Sequence, residues 1–115
     1  MDLSKALQDA INGHANSEFY SAYLYLSMVA YCESINMPGF AHWMRIQHQE
    51  ETGHALKLFD FVNDRGGRVV LEAIDQPPVE FQSSLDVMQR TLEHERTVTS
   101  MIHRLYEQAV EESDY

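Results

Sequence analysis

The chain has 115 residues, 44% hydrophobic and 23% charged, which suits one soluble domain (residues 1–115) with a real core and argues against long disorder. Its 8 Lys and Arg against 18 Asp and Glu give a formal charge of −10, a surface that repels phosphate backbones, speaks against nucleic-acid partners and attracts cations. No run approaches the roughly 18 apolar residues of a membrane span. The start Met1-Asp2-Leu3-Ser4-Lys5 has no signal-peptide pattern, and the one cysteine, Cys32, fits a reducing cytoplasm.

Proline and glycine divide the chain into three long helical segments. The first helix is expected over about Leu3 to Cys32. Projected at ~100° per residue, its Leu7, Ile11, Ala22, Tyr25 and Val29 share one direction, with Glu18 at the centre. Asn36-Met37-Pro38-Gly39 interrupts the pattern. A second helix follows over about Gly39 to Arg65, with Pro38 suited to its start and Gly66 to its end. Its Phe40, Met44, Leu58 and Val62 share a face with Glu51, and His54 lies about 60° to one side.

Arg68 to Gln82 is the odd segment. Helix connections in bundles usually take about 2–8 residues. Extended, this one reaches roughly 50 Å, more than the ~40 Å of the second helix. It is therefore expected to run the length of a bundle and to set a third helix parallel to the second. Ser83-Ser84-Leu85-Asp86 resembles a capping box opening that helix, over about Leu85 to Glu112. Its Met88, Ile102 and Tyr106 share a direction with Glu95. The architecture is all-α.

Each helix thus carries an apolar stripe with a glutamate in its middle. Burying unpaired carboxylates costs several kcal/mol each, and like charges facing one another add repulsion. A divalent cation answers both problems, and Glu51 with His54, spaced i, i+3, can hold one ion from a single helical face. Without metal the clustered carboxyls are expected to have raised pKa values. Oxygen and nitrogen donors suit iron, zinc and manganese. The other histidines, His14, His42, His48, His94 and His103, share no face or spacing and are expected mostly at the surface. Trp43 and the run Phe19, Tyr20, Tyr23 and Tyr25 are expected as core and interface aromatics.

Motifs along the whole chain carry a resemblance. Asn16-Ser17-Glu18-Phe19-Tyr20-Ser21-Ala22-Tyr23-Leu24-Tyr25-Leu26 comes first, then Pro38-Gly39-Phe40-Ala41-His42-Trp43 and Gln49-Glu50-Glu51-Thr52-Gly53-His54-Ala55. Arg65-Gly66-Gly67-Arg68-Val69 and His94-Glu95-Arg96-Thr97-Val98-Thr99 follow. Together they resemble non-haem bacterial ferritin. The resemblance implies a ferritin-like helical bundle, with three long helices present and the fourth helix absent from this chain. It implies a di-iron ferroxidase centre that oxidises Fe²⁺ to Fe³⁺ with O₂ or peroxide, intracellular iron storage and a homo-oligomer. By motif, Glu18 and His54 would bind one iron, Glu51 would bridge, Glu95 would bind the second, and Tyr25 would stand beside the centre. Glu50 would contribute an accessory position.

The same residues fit other readings. The chain can be a non-catalytic helical metal-binding or interaction module, or a different di-iron oxidase on the same fold. A two-fold pairing of the first two helices from two copies would assemble two Glu18 and two Glu51-x-x-His54 and push Glu95 out of the site.

Overall fold

The computed structural model describes residues 3–112, which form three helices: α1 (Lys5–Ser34), α2 (Pro38–Asp64) and α3 (Ser84–Glu111). The boundaries fall within about two residues of those expected, because each end has a local cause. Ser4 caps α1, accepting a hydrogen bond from the Leu7 amide at 3.1 Å. Pro38 opens α2 at its first position. Ser83 caps α3 by accepting from the Asp86 amide at 3.1 Å. The Asp86 carboxylate accepts in return from the Gln82 amide at 2.9 Å, one residue before the cap, so the expected capping box is present in a shifted form. Helices α1 and α2 end alike. Asn36 (φ 58°) and Gly66 (φ 75°) turn left-handed, and the next amides, Met37 and Gly67, donate to Cys32 O and Val62 O at 2.9 Å each.

Two clusters fix the directions of the helices. At one end Met28 and Cys32 of α1 pack with Ala41 and Met44 from the start of α2 and Val87 from the start of α3. At the other, Leu7 and Ile11 pack with Leu58 and Val62 from the end of α2 and Leu105 and Ala109 from the end of α3. Both α2 and α3 therefore run antiparallel to α1 and parallel to each other. Helix α1 packs against both, while α2 and α3 barely touch, being diagonal across the bundle. The result is a body about 51 Å long and 21 Å across.

The connection takes the expected path along α1. Arg68 N donates to Gln8 Oε1 at 3.1 Å, and Asn12 Nδ2 donates to Arg68 O at 3.0 Å. Further on, Ser27 Oγ donates to Pro78 O at 2.6 Å, and Phe81 stacks edge-on against Tyr31 with ring centroids 5.3 Å apart. Gly67 is needed at the start of this path. A Cβ there would lie 2.7 Å from Gln8 Oε1, 3.0 Å from Val62 Cγ1 and 3.2 Å from Val62 O. Gly67→Ala is expected to destabilise the fold by about 1–3 kcal/mol, read as a lowered urea midpoint.

The apolar stripe of α3 is open over much of its length. Ile102 and Tyr106 are 49% and 65% exposed, and the buried positions are Val87, Thr91 and Val98. The reason is the diagonal placement: Val87, Thr91 and Val98 meet α1, whereas Ile102 and Tyr106 look to the side that the described residues leave open. There they line, with Leu7, Ile11, Leu58 and Phe61, an apolar cavity of about 360 Å³. Tyr25 is fully buried among the aromatics expected in core or interface, while Phe19 and Tyr20 are half-buried and Tyr23 and Trp43 exposed.

Candidate metal centre

The middle of α1 and the middle of α2 face each other through their carboxylates. Glu18 is 2% exposed and Glu51 5%. One oxygen of each, Glu18 Oε2 and Glu51 Oε2, is buried without a hydrogen-bond partner. His54, one turn beyond Glu51, points Nδ1 at both, 3.8 Å from Glu18 Oε2 and 3.6 Å from Glu51 Oε2. One donor atom from each of Glu18, Glu51 and His54 lies within 4.8 Å of the others. Two orphaned buried oxygens are costly. Aimed with an imidazole nitrogen at one point, they make a donor set that fits a divalent transition metal. His54 itself is half exposed, which leaves a way in for an ion.

The electrostatics split the two carboxyls. Burial pushes Glu51 up to about 9, helped by its contact with Glu18 and the negative charges of Glu18, Glu95 and Glu50. Burial also pushes Glu18 upward, but the hydrogen bond to His14, the contact with Glu51 and the charges of His14 and His54 outweigh it and hold Glu18 below the ordinary range. The expectation of uniformly raised carboxyls is thus corrected: the pair shares its proton on Glu51, because Glu18 has the histidine neighbours.

Glu95 is not part of the trio. It is half-buried on α3 and accepts a hydrogen bond from the Tyr25 hydroxyl, and its charge is felt at Glu51. Tyr25 is held in its phenol form far beyond neutral pH, by burial first and then by its hydrogen bond to Glu95 and the charges of the three glutamates. Glu50 is exposed on α2 and lies outside the trio.

Three histidines expected at the surface are not there. His14 is 8% exposed, with Nε2 3.1 Å from Glu18 Oε1. His94 is half-buried, and burial lowers its pKa. Its Nε2 is 2.6 Å from Ser21 Oγ. Ser21 donates to Ser17 O at 3.0 Å, so its oxygen accepts from His94, whose ring stands edge-on to Tyr25 with centroids 5.9 Å apart. His48 Nδ1 donates to Ala22 O at 2.7 Å. The i, i+4 spacing of His14 and Glu18 was a legible signal. The partners of His48 and His94 are distant in sequence. His42 and His103 are exposed, as expected.

A family model described as a ferritin-like domain matches residues 8–115. The bacterial non-heme ferritin of Staphylococcus epidermidis is 40% identical over 113 residues, 98% of this chain and 68% of that protein. That of Bacteroides fragilis is 41% identical over 112 residues, 97% of this chain and 70% of that protein. Among solved structures, an open pore ferritin from Archaeoglobus fulgidus superposes with a TM-score of 0.95 at 50% identity, covering 97% of this chain and 69% of its own. A humanized archaeal ferritin gives 0.97 at 48% identity, covering 99% and 69%. The breadth of the family match and the identity over nearly the whole chain lead to one conclusion: the chain belongs to the ferritin family of iron-binding, iron-storing proteins.

Proposed function

We propose that this chain takes up Fe²⁺ at Glu18, Glu51 and His54 and oxidises it to Fe³⁺ for storage. The observation that carries the reading is the pair of orphaned buried oxygens, Glu18 Oε2 and Glu51 Oε2, converging with His54 Nδ1. Iron is the substrate. Glu18 and His54 hold one ion, Glu51 bridges to a second, and Glu95 binds that second ion while Tyr25 steadies its carboxylate. Two Fe²⁺ each give one electron; with two protons from water, the pair reduces O₂ to hydrogen peroxide. Peroxide as oxidant takes the same pair and two protons and leaves two waters. Anionic oxygen donors favour the more highly charged Fe³⁺, which is the direction of the reaction. Glu50, exposed beside Glu51, gives an accessory landing position for incoming cations.

The test is Fe²⁺ oxidation in air, followed by absorbance, with bound iron counted per chain. Oxidation above the protein-free rate and about two ions per chain are expected. Glu95→Ala should slow oxidation markedly and reduce bound iron toward one ion. An Fe²⁺ oxidation rate unchanged by that substitution would favour the paired-hairpin arrangement. One ion per chain without oxidation would favour a binding module.

Among the described residues no helix is long and apolar enough to cross a membrane. We place the protein in the cytoplasm, as a homo-oligomer. Leu58, Phe61, Ile102 and Tyr106 around the open apolar cavity are a surface that a second copy would cover. Light scattering at micromolar concentration is expected to give a mass well above that of one chain; a monomer mass would refute association.

A further inference from the structure

His14 lies one helical turn before Glu18 on α1. Its side chain is 7% exposed, more deeply buried than a histidine with no task on the surface would be, and its Nε2 is 3.1 Å from Glu18 Oε1. The other oxygen, Oε2, has no hydrogen-bond partner and is the one that faces His54 Nδ1, at 3.8 Å. The two oxygens of one buried carboxylate thus have separate partners, an imidazole on one side and the metal-binding trio on the other.

From this division we infer that His14 is a positioning residue that restricts Glu18 to coordinating metal through Oε2 alone. The inference rests on the reading of Glu18, Glu51 and His54 as the metal ligands. A free carboxylate can turn and chelate an ion through both oxygens. Here chelation would take Oε1 from the His14 N–H and leave that donor buried and unpartnered, which carries the full desolvation penalty of the group. His14 does not compete as a ligand itself, since it is not among the residues whose donor atoms converge. The trio therefore offers three single-atom donors, two oxygens and one nitrogen, and leaves several positions on the ion open. That suits an ion which is cargo: water and oxidant can enter, and the ion is not locked in by a chelating carboxylate. Hydrogen-bonded partners of this kind orient metal ligands as a general rule, and their loss costs about 10–100-fold in affinity or activity.

Anaerobic titration with Co²⁺ tests this, because its visible bands weaken as the number of coordinating atoms rises. The full chain should bind Co²⁺ with stronger bands per bound ion than variants in which Glu18 is free to add its second oxygen. His14→Leu, which cannot donate, and His14→Asn, whose amide is too short to reach Oε1, should both weaken the absorption per bound ion or shift affinity by roughly tenfold or more. His14→Gln, whose amide nitrogen reaches about as far as Nε2, should restore the parent spectrum. Circular dichroism on each variant confirms that the helices are intact. Variants His14→Leu and His14→Asn with the parent spectrum and affinity would overturn the inference while leaving the trio standing. Failure of His14→Gln alongside the other two would overturn it as well, making the imidazole itself a ligand. A parent chain that binds no Co²⁺ would remove the trio, and the inference with it.

Discussion

Replacing Glu51 by glutamine is expected to stabilise the metal-free chain at neutral pH by about 1–3 kcal/mol, while abolishing Fe²⁺ oxidation. Burial and the neighbouring carboxylates push Glu51 up to about 9 in the fold, from an ordinary value of 4.5. A carboxyl with a raised folded pKa contributes stability that is complete below its unfolded pKa and is lost as pH rises toward the folded one. At neutral pH the unfolded chain gains by ionising Glu51 and the folded chain does not. Glutamine has the same shape and never ionises. Urea midpoints should therefore separate as pH rises from about 5 to about 8, with the parent losing ground to Glu51→Gln. Parallel curves would mean that Glu51 is ionised and solvated in the folded chain. The same substitution removes the carboxylate proposed to bridge the two ions, so oxidation should fall to the protein-free rate. A site built for an ion would then be less stable than its inert copy, the usual relation between function and stability.

The second large effect is on metal affinity. An ion at this site must displace the proton that Glu51 holds, since a carboxyl ligates in its ionised form. With Glu51 near 9, divalent metal affinity should fall about tenfold for each pH unit below that value. Calorimetry at neutral pH, in buffers of different ionisation heat, should show roughly one proton released per ion bound. In Glu51→Gln the residual binding should lose that proton. Release near zero in the parent chain would place the shared proton elsewhere. Glu18, held in its ionised form by His14 and His54, gives up no proton and is the ready anchor for the incoming cation.

The periodicity of α1 and α2 made the convergence of Glu18, Glu51 and His54 legible. Glu18 sits amid Leu7, Ile11, Ala22, Tyr25 and Val29, all buried as their spacing implies. Glu51 sits amid Met44 and Val62, also buried, with His54 beside it. The same projection found the stripe of α3 but not how much of it is covered. A helical projection identifies a stripe but not the neighbour it meets. Ile102 and Tyr106 line an open apolar cavity with Leu7 and Ile11, whereas Thr91 and Val98, unremarkable in the sequence, are buried. The histidines were misread for a related reason. Helix α1 has neighbours on three sides: α2, α3 and the long connection. His48 reaches Ala22 O from α2, and His94 reaches Ser21 from α3, each on a flank rather than on a stripe centre.

What the amino-acid sequence determined by itself was local and periodic. Caps, breaks and 3.6-residue spacing set three helices, and the length of the connection set their relative direction. Chemistry then put a carboxylate on each stripe. The tertiary structure decided which oxygen of each carboxylate has a partner and where the shared proton resides. Those outcomes depend on approach distances of a few ångströms between helices, such as His14 Nε2 at 3.1 Å and His54 Nδ1 at 3.8 Å from the two oxygens of Glu18. Electrostatic and hydrogen-bond energies change steeply over such distances in a low-dielectric interior, and sequence spacing does not resolve them.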